Sequence, residues 1–423
     1  MSRGSSAADD VQSCNPTPDG PAATPWPSED QGLCADLAGG PRILDRVAAA
    51  LDEAMVVGEA RKKLLYLIVT SRLLGRPVSA VVKGPSAAGK SFLVEQVLRL
   101  YPTDACHQLT AMSEKALAYS RVPPRHRMLV LFEAAGLRGE FASYLVRSLL
   151  SEGRVRYETV ERTSKGLQPR LIEREGPTGL ITTTTAVRLH PENETRMLSL
   201  SVADTPAQTA AVMRALAAEP REIDLAPFHA LQRWLMSDEL AVVVPYTGAL
   251  AELIPPVAVR LRRDFRTLLA LIETHALLHQ ATRSRAPDDG AVLASVEDYD
   301  VVRDLVADLV AEEVSASVST TMRETVEAVR ALAPDAQQGC SVASLARQLG
   351  LDESSAYRRA RAAIDRGYLC NLEARPRRPA QLILGEPLPE EIVILPAVER
   401  LRDCIAAGAD DADPREGVEG ASR

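Results

Sequence analysis

The sequence predicts an α/β protein. A parallel sheet covered by helices comes first, then a helical block, then a smaller unit of three helices and a two-stranded ribbon. Three observations predict it. Between residues 41 and 220 short apolar runs alternate with segments of helical period, as in strands buried on both faces and joined by crossover helices. The stretch VVKGPSAAGKSFLVEQVL, opening at Val81, places G-x-x-x-x-G-K-S between an apolar run and a helical repeat. Three helical repeats and two short runs around a basic loop lie between 321 and 385.

Composition bounds what the chain can be. Its 423 residues suit two or three domains, and 46% apolar content is enough for real cores. No apolar run is long enough to span a bilayer, and the opening MSRGSSAADDVQSCNPTPDG has no apolar signal core. The expectation is a cytoplasmic protein with no membrane partner. Cys14, Cys34, Cys106, Cys340, Cys370 and Cys404 form no C-x-x-C pair, so they read as free thiols rather than a zinc site or disulfide frame. With a net charge of −8, any contact with nucleic acid must come from a local basic patch. Residues 1–40, rich in Ser, Pro, Gly and Asp, and the acidic tail 401–423 read as disordered.

The block 41–220 opens with helices between Ile43 and Leu74. Val78, Ala80, Val81 and Val82 then read as a buried strand leading into Gly84, Pro85, Ser86, Ala87, Ala88, Gly89, Lys90 and Ser91. That spacing has a mechanism. Two glycines let the backbone aim its N–H groups at phosphate oxygens, and the helix from Ser91 points its positive end at the same charge. Lys90 would reach the β- and γ-phosphates, and the Ser91 hydroxyl would hold Mg²⁺. Only six of the 49 basic residues are lysine, which makes a lysine at this position informative. ATP or GTP with Mg²⁺ is therefore the expected ligand.

A second strand is expected at CHQLTAM (106–112), a capped helix from Ser113, a third strand at 127–136 and a helix over 140–153. Glu133 follows the apolar run Met128 to Phe132 and is the expected catalytic acid, orienting water or holding metal. Phe132 stands where the usual Asp-Glu pair has its Asp. Two polar alternating runs, RVRYETVERT and QPRLIEREG, joined through Ser164, Lys165 and Gly166, predict a hairpin. Thr182 to Thr185 end a fourth strand, where Thr183 or Thr184 can orient water at the γ-phosphate; Thr184 is carried as the candidate. Arg196 follows in NETRMLSL, where an arginine can be presented to a neighbouring subunit's phosphate or serve simply as a surface residue.

Residues 221–320 read as helical, with apolar residues at Leu261, Phe265, Leu268, Leu269, Ile272 and Ala276. In 321–400 a helix trio and ribbon predict a winged helix-turn-helix, its second and third helices joined at Gly350, Leu351 and Asp352. Between Tyr357 and Pro379 seven arginines face two acids, a local net charge of +5. Arg358, Arg359 and Arg361 on the third helix, and Arg377 and Arg378 in the wing, are the candidate DNA contacts. A protein-docking module is the competing reading of the same fold.

GPSAAGKS, the extra strand, MLVLFEAAG, the hairpin before GLITTTT, and Arg196 together resemble an AAA+ P-loop ATPase. LTAMSEKALAY, RSLLSEGRVRYETVE, EGPTGLITTTT and HPENETRMLSLSVAD resemble the primase/helicase-associated AAA+ proteins of phages and integrated elements, in the replicative-helicase branch that includes the minichromosome-maintenance helicases. The resemblance implies an AAA+ core over 41–220, a helical lid over 221–320, homo-hexamers, ATP hydrolysis between subunits, DNA as the track, and a primase or other replication proteins as partners. It implies nucleotide-sensing roles for the lid arginines Arg262 and Arg263, and a DNA-tracking role for Lys165 at the hairpin tip. No zinc ribbon or primase pattern is present in the sequence. Two functions follow: an ATP-driven helicase or translocase, or an ATP-switched DNA-binding initiator, loader or regulator that does not translocate. A small-molecule kinase ranks last, because it leaves the lid arginines and the winged helix without a task.

Overall fold

The computed structural model describes residues 28–54, 58–113, 116–133, 140–163, 166–185, 195–202, 205–217, 221–237, 241–316, 318–333, 339–373, 375, 378–388 and 393–410. Three helices lead: α1 (Ser28–Ala38), α2 (Ile43–Glu53) and α3 (Glu59–Thr70). The sheet region follows as β1 (Ala80–Lys83), α4 (Lys90–Arg99), β2 (Cys106–Leu109), α5 (Ala116–Tyr119), β3 (Arg127–Leu131) and α6 (Glu140–Glu152). A hairpin of β4 (Arg154–Thr163) and β5 (Gly166–Glu175) precedes β6 (Thr178–Thr184) and β7 (Leu198–Ser201).

Five of these strands form one parallel sheet in the order β2-β3-β6-β1-β7. Alternation along the strands explains why it is covered on both sides. Ala80, Val82, Val130, Ile181, Leu198 and Leu200 enter a large core with α2, α3 and α4. Val81, Leu129, Leu131 and Leu180 face the other way, onto Val146 of α6 and Met197. All seven residues of β6 are buried at the sheet's centre. Gly179 in that strand has a packing reason: a Cβ there would stand 2.8 Å from the Val78 carbonyl oxygen and 2.9 Å from the Met128 sulfur.

The middle of the chain is α7 (Pro206–Ala217), α8 (Ala226–Ser237), β8 (Val242–Val243), α9 (Thr247–Leu253), α10 (Leu261–Leu278), β9 (Val292–Leu293) and α11 (Val296–Ala316). Leu231, Leu271, Ile272, Val302 and Val306 of this block share the large core with α3 and α4. A buried cation helps seat α8. The Arg72 guanidinium donates 2.7 Å to Gln232 Oε1 and lies 5.2 Å over the Tyr101 ring, and Gln232 Nε2 donates to the Tyr66 and Thr70 hydroxyls.

The third block holds α12 (Thr320–Leu332), α13 (Val342–Leu349), α14 (Glu353–Asp365), and the antiparallel ribbon β10 (Leu369–Asn371) with β11 (Leu382–Leu384). Each helix starts on a side-chain cap. Ser319, Ser341 and Asp352 accept from the N–H groups of Met322, Ser344 and Ser355 at 3.3, 3.1 and 2.9 Å. Gly350 ends α13 at φ 65°, a left-handed position that suits glycine. Val326, Val329, Leu345, Ala360, Ala363, Leu369 and Leu382 make its own core.

Both predicted disordered ends shrink. Residues 28–38 are α1, because Cys34, Leu37 and Ala38 recur at helical spacing and are buried; α1 packs on α8, where Asp30 and Arg233 pair at 3.0 Å. Residues 401–410 belong to α15 (Val398–Asp410), with Val398 and Leu401 buried against the large core and the Tyr299 hydroxyl donating 2.6 Å to the Pro396 carbonyl. Polar composition hid one apolar stripe at each end. No helix among the described residues is long and apolar enough to cross a membrane.

Candidate functional site

The loop from Gly84 to Gly89 leaves the C-terminal end of β1 and enters α4. It is pinned where it begins: the Gly84 N–H donates to the Thr184 carbonyl at 3.3 Å, and a Cβ on Gly84 would stand 3.1 Å from the Val202 carbonyl oxygen. Ala87 at φ 63° and Gly89 at φ 81° turn the backbone through left-handed positions. Among the described residues, no acceptor meets the backbone N–H groups of Ser86, Ala87, Gly89, Lys90 and Ser91. Five such donors beside a helix N-terminus form an anion cradle. Lys90 is 8% exposed, and its ammonium donates 2.6 Å to the Pro85 carbonyl within the loop. Ser91 is exposed on the first turn of α4.

Glu133 stands at the same end of the sheet, two residues beyond β3 and exposed. Its φ is 81°, a conformation that non-glycine residues hold only when their surroundings impose it. The imposing contact is visible: the Glu133 N–H donates 3.0 Å to the Thr183 hydroxyl. Phe132 packs partly buried against the large core, so the position of the usual Asp is an apolar plug. The threonines divide by face. Thr182 donates to the Leu131 carbonyl at 2.9 Å, Thr183 positions Glu133, and Thr184 is buried, 6% exposed, with its carbonyl on Gly84. Thr183 is thus the threonine tied to the acid, whereas Thr184 is tied to the loop.

The donor set fits a nucleoside triphosphate with Mg²⁺. The free N–H groups and Lys90 match phosphate oxygens, and a hydroxyl and a carboxylate suit a cation that keeps several waters. In the place of the missing Asp, the described residues offer Glu133 and Ser91.

The arginines do not gather at this end. Thr195 and Arg196 precede β7, whose first residue Leu198 registers with Ala80, the first residue of β1. The 84–89 loop leaves the other end of β1, roughly 10 Å along the strand. Arg263 donates 2.7 Å to the Thr195 hydroxyl, and Arg196 donates to the Ser151 hydroxyl of α6. Arg196, Arg263 and Arg266 line a cavity of about 160 Å³ with Asp264 and Glu313. Burial pushes the carboxyls of Asp264 and Glu313 up despite the Arg260 guanidinium between them. Arg262, exposed on the first turn of α10, and Arg263 therefore lie with Arg196 and away from this chain's own loop. The arginine at the loop end of β7 is Arg61, whose Nε donates 2.6 Å to the Ser201 carbonyl. It sits 23 residues before the loop, and no sequence signal singled it out.

In the third block a groove of about 910 Å³ runs between α14 and the ribbon, lined by Ser354, Tyr357, Arg358, Asn371, Arg375 and Arg378. Tyr357 is 55% exposed in it. Arg358 donates 3.1 Å to Ser355 Oγ, and Arg361 pairs with Asp365 at 3.2 Å, both at the surface. Arg359 instead reaches back to Glu324 of α12 at 3.2 Å, which explains its separation from the other two. Arg377 and Lys165 lie outside the described residues.

A buried polar cluster escaped sequence reading because its parts are 23 residues apart. Asp298, at the start of α11, accepts from His275 Nδ1 at 2.6 Å, from Arg283 at 2.6 and 2.9 Å, and from the Ser295 N–H at 2.7 Å. Burial alone would raise its carboxyl pKa, but the bonds from His275 and Arg283 win and hold it far below the usual range. His279 packs on His275 with ring centroids 4.4 Å apart. Its burial, and the charges of His275 and Arg283, push it down to about 4. Both carboxylate oxygens of Asp298 are already occupied, each of them by the Arg283 guanidinium among others, so the cluster works as a clamp between α10 and α11. A neutral buried His279 stabilises the fold fully above its ordinary pKa near 6.5, and this contribution is lost as pH falls towards 4. The loss amounts to about 3 kcal/mol. Urea unfolding at pH 7 and pH 4 measures it: His279→Phe should lose about 3 kcal/mol less over that interval than the unsubstituted protein.

No protein-family model matches the chain, and no curated protein matches it.

Proposed function

We propose that the chain is an ATP-dependent DNA-binding ATPase of the AAA+ class, a helicase, translocase or other replication protein working as a ring of identical subunits. The observation that carries the reading is the left-handed Glu133, fixed by Thr183 of β6 at the same sheet end as a phosphate loop in which five N–H groups meet no acceptor among the described residues. The strand order supports it, since β2, the extra strand of the resemblance, lies at the edge beyond β3.

In this reading the loop N–H groups take the phosphate oxygens, and Lys90 exchanges the Pro85 carbonyl for the β- and γ-phosphates. Ser91 and Glu133 would hold Mg²⁺, which supplies neutralising charge to the same oxygens. Glu133 orients the attacking water and accepts its proton. Arg196, with Arg263 beside it, faces away from its own loop, the orientation required to reach a neighbouring subunit's γ-phosphate. The α14–ribbon groove, read as the DNA-facing side of a winged helix, takes duplex DNA.

Phe132 favours a second reading. With one carboxylate rather than two, hydrolysis is slow and ATP acts as a switch on a DNA-binding initiator or loader. Strand displacement by the ATP-fuelled protein supports the helicase; nucleotide-dependent DNA binding without displacement supports the switch.

Arg358 and Arg361 test the DNA side. The Arg358→Ala/Arg361→Ala protein should bind duplex DNA at least tenfold more weakly and lower the salt slope of binding by about two units if both contact phosphates. Its DNA-free ATPase rate should not change, because the nucleotide site lies in the other core. Fluorescence anisotropy at two salt concentrations reads both quantities. Equal affinity and equal slope would make the block a protein-docking module.

A further inference from the structure

The β4–β5 hairpin carries an apolar face that nothing among the described residues covers. Its base is anchored: Val155, Tyr157 and Ile172 pack on α5 and α6. The register places cross-strand partners on a common face. Beyond the base, that inner face continues as Thr159 with Arg170 and Glu161 with Gln168, closed by a Glu161–Arg170 ion pair at 2.8 Å. The opposite face carries Glu158 with Leu171, Val160 with Pro169, and Arg162 with Leu167. Val160, Leu167 and Leu171 are 63, 74 and 54% exposed, and Pro169 is exposed beside them. A projecting two-stranded ribbon has no internal reason to place four apolar side chains on one solvent face.

The charges at the two ends of this face identify its occupant. Glu158 and Arg162 flank Val160 symmetrically along β4, each two residues away on the same face. A two-fold axis running across the strands through Val160 and Pro169 lays Glu158 of one copy on Arg162 of the other. The same axis lays Leu171 on Leu167 and Val160 on its own copy. The face is self-complementary in charge and in hydrophobicity, as an isologous contact requires. We propose that two copies of this chain pair hairpin to hairpin, outer face on outer face, about this axis. The contact does not rest on the nucleotide reading. Rings close through heterologous contacts, so this one joins two monomers or two separate assemblies. Three cross-strand pairs per copy fall well below the roughly 1,200 Å² of a stable interface, so the pairing is weak alone and strengthens when another contact brings copies together.

Cysteine trapping captures such a pairing. Val160→Cys stands on the axis and should form a disulfide with its own counterpart under mild oxidation, without nucleotide or DNA. Thr159→Cys, one residue away on the inner face, should not. The junction is mapped by mass spectrometry, so the exposed Cys370 is not counted. Adding Glu158→Arg or Arg162→Glu to the Val160→Cys chain juxtaposes like charges twice and should slow trapping roughly tenfold. Mixing the two charge variants, or placing both changes on one chain, should restore it. Glu158, Val160 and Arg162 are exposed and Thr159 is only half-buried, so the folded chain is kept. Equal trapping at residues 159 and 160 overturns the pairing, as does no trapping at 160 or failure of the mixture to recover. Those outcomes would leave the face to a different protein or a DNA strand.

Discussion

Lys90→Ala is expected to weaken ATP binding about a hundredfold. In the present structure the Lys90 ammonium is buried, 8% exposed, and spends its hydrogen bond on the Pro85 carbonyl. The loop thus already directs the cation inwards, where phosphate would replace the carbonyl. Removing a charged hydrogen-bond donor costs about 1.5–3 kcal/mol, and the Coulombic pull on several phosphate oxygens adds to it, which gives about two powers of ten in affinity. The free N–H groups remain, so residual binding should persist at high ATP concentration. Titration with a fluorescent ATP analogue measures both constants. Equal affinity in the two proteins would mean the loop does not hold the nucleotide.

Glu133→Gln should separate binding from turnover. The carboxylate is exposed, and its place is set by its backbone, through the bond from its N–H to Thr183. Glutamine keeps the size and the N–H, so ATP affinity should change by less than about threefold. It cannot accept a proton from water, and loss of a general base costs roughly 10²–10⁴ in rate. Turnover should fall by that amount while the nucleotide-bound state accumulates. Undiminished turnover would move the base to another residue. Thr183→Val gives the supporting comparison, since it frees the Glu133 backbone without touching the carboxylate.

The turn from β1 into α4 was legible because its signature is contiguous: eight adjacent residues between an apolar run and a helical repeat. The strands at 80–83 and 127–131 were legible because they are short apolar runs buried on both faces, and the strand at 178–184 because its β-branched residues form one buried run. The hairpin and the helix trio followed from polar alternation and helical period. What was not legible depends on register. Choosing between Thr183 and Thr184 needs the face of β6 that meets Glu133. Placing Arg262 and Arg263 needs the direction of β7 beside β1. Their nucleotide-sensing role came from resemblance, and Arg263 meets Thr195 before β7, at the end of the sheet away from the loop. The Asp298 clamp and Arg61 are long-range contacts with no local pattern. The helices at 28–38 and 398–410 were masked by polar neighbours that outnumber their few buried residues.

In the proposed function this loop and Glu133 turn over ATP in a manner linked to DNA. Steady-state ATP hydrolysis by the full chain with Mg²⁺, across a titration of single-stranded and duplex DNA, tests it most directly, with Lys90→Ala run alongside. The basal rate should rise with DNA and vanish in the variant. A rate that is absent under every condition, or one that Lys90→Ala leaves intact, would contradict it.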